Sequence, residues 1–117
     1  MGADLLGVNK LGDTVLHLAI RHGKLDYVRK VLEFIQQDNK YKSKSLDIEN
    51  MIEYCTPYML ALIKEHFEIG EELLQTGKVD KYYRNVNKEH VFRMAKRLKL
   101  TRVMKYIYHQ EGGQCQA

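Results

Sequence analysis

Tryptophan is absent from this chain of 117 residues, proline occurs once and cysteine twice. Each scarcity excludes something. Two cysteines, Cys55 and Cys115, lying 60 residues apart, do not make a disulfide scaffold, and such usage fits a reduced intracellular compartment, cytoplasmic or nuclear. With Pro57 as the single proline, the Leu-, Ile-, Lys- and Glu-rich remainder is free to be helical. No apolar run approaches the roughly 18–20 residues that cross a bilayer, so no membrane span is expected. The start, MGADLLGVNK, lacks the basic opening, apolar middle and small-residue cleavage site of a secretory signal. It also carries Leu6 where a myristoylated Met-Gly start needs Ser or Thr.

What is present repeats itself. The stretch TVLHLAIRHGKLDYVRKVLE (14–33) aligns with TPYMLALIKEHFEIGEELLQ (56–75), and HVFRMAKRLKLTRVMKYIYH (90–109) follows the same shape with one residue lost at the turn. Ala19, Ala61 and Ala95 fall in register, as do Leu25, Phe67 and Leu100. In the first unit Leu16, Ala19 and Ile20 form one apolar stripe, and Leu25, Val28, Val31, Leu32 and Ile35 a second, both with helical spacing. Thr14 and Thr56 stand where N-caps belong, Pro57 occupies a first helical position, and Gly23 supplies the positive φ of a tight break. No stretch alternates with period two for long. The expectation is an all-α chain of stacked helix-turn-helix units, with the alanines where helices cross closely.

These units resemble ankyrin repeats, whose signature G-x-T-P-L-H-x-A-A is followed by a glycine turn and a leucine-rich second helix. The first matches through Gly12, Thr14, Leu16, His17, Ala19, Gly23, Val31 and Leu32. The second keeps Thr56, Pro57, Ala61, Leu73 and Leu74, but has Met59 at the histidine slot and Glu65 at the glycine slot; the third keeps little beyond Ala95. The resemblance implies an ankyrin-repeat solenoid in a single domain, 1–117. It divides into a repeat end at 2–8, a repeat at 9–38, an insertion at 39–50, a repeat at 51–84, a degenerate capping repeat at 85–109 and a tail at 110–117. From Thr14 to Thr56 is 42 residues, about nine beyond the usual ~33. The excess is polar and carries Lys40, Lys42 and Lys44; it reads as a solvated loop or a lengthened second helix, or else as a finger that touches a partner. Since stacking carries the stability, Ala19→Leu or Leu32→Ala should lower the unfolding temperature sharply.

The polar residues carry no enzyme signal. His17 and His22, five apart, project ~140° from each other on a helix, and no further Cys or His stands at ligand spacing. The resemblance gives His17 a structural role near the turn and leaves His22 at the exposed end of the first helix. His66, His90 and His109 are scattered, Cys115 lies in the tail, and no cofactor or metal is implied. What remains is surface. The resemblance implies a partner protein held by turn tips and exposed faces of the first helices. Position by position these are Lys10, Leu11, Asp13, Arg21 and His22, then Ile52, Glu53, Cys55, Ile63 and Lys64, then Glu89 and Arg97.

Charge is polarised along the chain. Residues 1–77 hold 9 basic and 12 acidic groups, whereas 78–109 hold 10 and 2. That basic end reads as a solvated face, a site for an acidic protein segment, or a nucleic-acid or anionic-surface contact, though no recognition motif accompanies it. Tyr82, Tyr83, Tyr106 and Tyr108 within or beside it read as half-buried packing. The stretch GDTVLHLAI is also similar to the opening repeats of the inhibitors of NF-κB, which adds a Rel-type transcription factor as an alternative partner.

Overall fold

The computed structural model describes residues 7–38 and 45–110, and nothing beyond them is characterised. These residues form six α-helices and no strand: α1 (Val15–His22), α2 (Leu25–Gln37), α3 (Pro57–Ile63), α4 (Phe67–Gln75), α5 (Val91–Arg97) and α6 (Thr101–Gln110). Each helix is too short to persist alone in water, so it depends on burying its apolar stripe against neighbours. Consecutive helices pair as α1/α2, α3/α4 and α5/α6. The first helices pack in the order α1, α3, α5, and α2 packs on α4. Side chains continue that second layer: Phe67 of α4 stacks on Tyr106 of α6 with ring centroids 4.1 Å apart.

Local sequence explains the boundaries. The Thr14 hydroxyl accepts the His17 amide while the His17 ring reaches back to the Thr14 amide, a reciprocal cap that starts α1. Thr56 caps α3 through the Met59 amide, with Pro57 following where its missing N–H costs nothing. His90 takes the place of threonine in front of α5, its Nδ1 accepting from the Arg93 amide. The helix-to-helix breaks fall at Gly23, Glu65 and Lys99, all left-handed, with φ of 71°, 64° and 59°. Only the first is glycine; the other two hold a strained conformation imposed by packing on both sides.

The core is one continuous apolar layer between the two rows of helices. Leu16, Ile20, Val28, Ile35, Leu60, Leu62, Leu73 and Val103 are all fully buried, as are Ala61 and Ala95. Each large side chain hidden this way contributes roughly 1.5–3 kcal/mol before entropy is counted.

Of the insertion, residues 45–50 are described. The second helix ends before it, at Gln37, and 45–50 run half-buried from exposed Ser45 to buried Asn50. Leu46 is buried at 1% exposure and its amide donates to the Lys78 carbonyl over 2.9 Å. Asp47 accepts the Asp80 amide, and Glu49 accepts the Tyr83 hydroxyl at 2.6 Å and the Val86 amide. The reason is an apolar residue set in a polar run, with two carboxylates facing the loop from α4 to α5. Lys40, Lys42 and Lys44 lie outside the described residues. Of the four tyrosines, Tyr83 and Tyr106 are half-buried as expected, while Tyr82 and Tyr108 stand exposed.

Candidate functional site

Three turns of one design precede α1, α3 and α5 and form the surface to which the resemblance assigned partner binding. Each begins at an asparagine: Asn9, Asn50 and Asn85. The side-chain oxygen of Asn9 accepts the amides of Leu11 and Asp13 at 2.9 and 3.0 Å. Asn50 does the same for Glu53 and Cys55 at 3.2 and 3.0 Å, and Asn85 for Asn87 and Glu89 at 2.9 and 3.0 Å. Each asparagine amide then donates to the carbonyl of Asp13, Cys55 or Glu89, at 3.0 Å in all three. A left-handed residue closes each turn: Gly12, Tyr54 and Lys88. Asparagine suits this position because its short amide mimics a backbone group two residues on. The signal lies in the sequence, as an asparagine four or five residues before the residue that precedes each cap.

The turns are tied to one another. His17, fully buried, accepts the Thr14 amide at Nδ1, so its Nε2 carries the hydrogen that bonds the Cys55 carbonyl at 2.9 Å. The Met51 amide donates to the Leu11 carbonyl, and the Asn85 amide group to the Tyr54 carbonyl. Burial pushes the His17 pKa below the ordinary histidine value, because the enclosed ring has no room for a second proton's charge.

Beneath the tips run charged pairs spaced eight residues apart. Arg21 forms a two-pronged contact with Asp13, Nε to Oδ2 at 2.9 Å and Nη2 to Oδ1 at 3.2 Å, and reaches Glu53 of the next turn. Arg97 grips Glu89 likewise, at 2.7 and 3.1 Å. The equivalent positions in the middle unit are Cys55 and Ile63, so the ionic pattern is interrupted by an apolar pair. Burial opposes ionisation of Asp13 and Glu53, but hydrogen bonds from Arg21 and Asn50 outweigh it and hold both carboxyls below their usual range. Burial pushes the Cys55 thiol up to about 12, which keeps it protonated and unreactive.

A groove of about 710 Å³ opens where the pattern is interrupted, between the second and third turns and the exposed sides of α3 and α5. Ile52, Ile63 and Leu98 give it an apolar floor, and Lys64, Arg93 and Arg97 stand around it.

The sequence-derived surface residues divide accordingly. Lys10, Leu11, His22, Ile52, Lys64 and Arg97 are exposed, and Arg21, Glu53 and Ile63 are half-buried. Asp13, Cys55 and Glu89 are corrections: at 2%, 1% and 9% exposure they turn inward, because the asparagine-capped turn points the residue before each helix cap back beneath the tip. The groove brings together Ile52, Glu53, Cys55, Ile63, Lys64, Glu89 and Arg97; Lys10, Leu11, Asp13, Arg21 and His22 belong to the first turn and α1 and lie outside it. Arg93, Leu98 and Asn87 also line it and were missed, since the third unit's register cannot be fixed from a degenerate repeat.

Among the described residues no group of three or more His, Cys, Asp or Glu is placed to hold a metal ion. No helix among them is long and apolar enough to cross a membrane. Compared with protein-family models and with curated proteins, the chain matches none.

Proposed function

We propose that this chain is an ankyrin-type repeat module that catalyses nothing itself and binds another protein through its turn tips and the exposed sides of α1, α3 and α5. The reading is carried by one observation: three asparagine-built turns hold their tips at the same end of the molecule, where apolar residues are left in water. Leu11, Ile52 and Val86 at these tips are 48%, 55% and 68% exposed. Such side chains, aligned by rigid helices behind them, offer contact area at little ordering cost. The pairs Asp13–Arg21 and Glu89–Arg97, each with its carboxylate turned inward, serve that role by fixing the first helices against their turns.

Photo-crosslinking tests it. A benzophenone amino acid replacing Ile52 should capture a defined protein from cells, whereas the same group replacing Glu33 on α2, in the other layer, should not. Equal capture from both positions, or from neither, overturns the reading.

A further inference from the structure

We propose that the groove between α3 and α5 receives a short acidic segment of another protein, with an apolar side chain of that segment seated on Ile52, Ile63 and Leu98. This rests on the protein-binding reading above and specifies its partner.

The argument is one of charge bookkeeping inside a shaped site. Two carboxylates lie at the groove, and both are already engaged: Glu53 by Arg21 and Asn50, Glu89 by Arg97. They therefore present little net negative charge to a ligand. The cations are not balanced in the same way. Arg93, on the exposed side of α5, forms no ion pair with the described residues, and neither does Lys96 beside it. Arg93 lines the groove, and both it and Lys96 line an adjoining hollow of about 490 Å³ that shares Glu89 and Arg97 with the groove and reaches Phe92 and His90. Arg84 and Arg93 crowd His90 closely enough to disfavour its protonated form, after burial itself, so the positive field reaches the cap of α5. On the other wall Lys64 lies 3.9 Å from Glu53 and, together with Arg21, offsets the Glu53 and Asp13 carboxylates, so the unbalanced positive charge is on the α5 side. The groove thus combines unpaired positive charge on its α5 side with an apolar floor, and its volume matches a few side chains. Carboxylates flanking one apolar residue satisfy both features at once.

Nucleic acid fits less well. A phosphate backbone needs cations in a row along its length, whereas here they flank an apolar pit. Single strands also need successive aromatic platforms, and among the lining residues of the groove Tyr54 is the one aromatic ring.

The test is fluorescence anisotropy with the full chain and a fluorescein-labelled peptide of aspartate and glutamate around one central leucine. Saturable binding is expected, weakened at least about tenfold by Arg93→Glu with Lys96→Glu, and separately by Ile52→Asp. Replacing the peptide's leucine with serine should weaken binding as well, and exchanging its acids for lysine should abolish it. Lys105→Glu, at an exposed position of α6 and with half that charge change, should leave affinity unchanged, and circular dichroism must show every variant folded. Overturning results are loss with Lys105→Glu as large as with the groove variants, indifference to the leucine, or tighter binding of a single-stranded DNA oligonucleotide lost with the same substitutions. Absence of peptide binding also overturns it. Capture by crosslinker at position 52 together with no peptide binding would sink this inference alone; failure of that capture would sink the module reading beneath it.

Discussion

The Nε2 of His17 in α1 lies 2.9 Å from the carbonyl oxygen of Cys55 in the turn that precedes α3. One side chain thereby caps its own helix and fastens the next unit's turn. His17→Leu keeps the bulk but strands the Cys55 carbonyl and the Thr14 amide in a dry site. A loss of about 2–4 kcal/mol is expected in urea unfolding followed by circular dichroism. The contact is also sensitive to acid. Because the folded-state pKa of His17 is lowered, its stabilisation is fully present above the ordinary value of 6.5 and is lost as pH falls from there toward the folded value. His17→Gln removes this titration, so stability plotted against pH should fall less steeply below 6.5 in that variant than in the wild type. Parallel curves would show that the ring does not titrate on unfolding.

Much of this arrangement is visible in the letters, for reasons that are local. Thr14, Thr56 and Pro57 act within one turn of their own helices, and Gly23 within its own break, so their types alone reveal them. His90 as a cap was hidden because histidine is not a usual N-cap residue. The docking of Leu46 was hidden for another reason: its partner, Lys78, stands far along the chain, and one apolar residue in a polar run has no periodicity to betray it. The inward turn of Asp13, Cys55 and Glu89 follows from a backbone loop held by asparagine side chains, which hydropathy does not encode.

The Asp13–Arg21–Glu53 group makes a prediction at lower pH. Arg21→Met leaves the nearly inaccessible Asp13 carboxylate without its cation and should cost about 1–3 kcal/mol near neutrality. Both carboxyls titrate below their ordinary values of 3.8 and 4.5 in the fold. Their contribution is therefore present above those values and lost as pH falls toward the folded ones. The gap between wild type and variant should close below about pH 4 in denaturant titrations. A gap that stays constant with pH would assign the loss to packing of the Arg21 stem.

Cys55 should behave as an apolar residue. Its thiol is 1% exposed and pushed up to about 12. In a Cys115→Ser background, Ellman's reagent at pH 8 should therefore give no colour until urea is added, and then one thiol equivalent. Rapid labelling of the folded protein would mean that the second turn opens on its own.

Leu32 and Ala19 report on the stacking itself. Leu32 of α2 and Ala19 of α1 are each 5% exposed within the same core. Leu32→Ala opens a cavity worth about 2–5 kcal/mol, and Ala19→Leu forces its helix off its neighbours for about 1–3 kcal/mol. Both should lower the melting temperature measured by circular dichroism, and a variant that melts with the wild type would place its residue outside the core.

The helix-to-helix breaks at Gly23 and Lys99 are both left-handed and should both favour glycine. Lys99 holds φ at 59° although its side chain is exposed and forms no ion pair with the described residues. A left-handed conformation costs a non-glycine residue about 1–2 kcal/mol, whereas glycine's extra freedom in the unfolded chain costs about 0.5–1 kcal/mol. Lys99→Gly should therefore stabilise the protein by up to about 1 kcal/mol. At the matching position of the first unit glycine is already in place, and replacing it is the reverse change. A Cβ on Gly23 would approach the His66 ring at 2.7 Å while φ stays at 71°. Gly23→Ala should lose about 1–3 kcal/mol. Paired thermal melts decide the matter: the three breaks share one geometry only if Lys99→Gly melts above the wild type and Gly23→Ala below it.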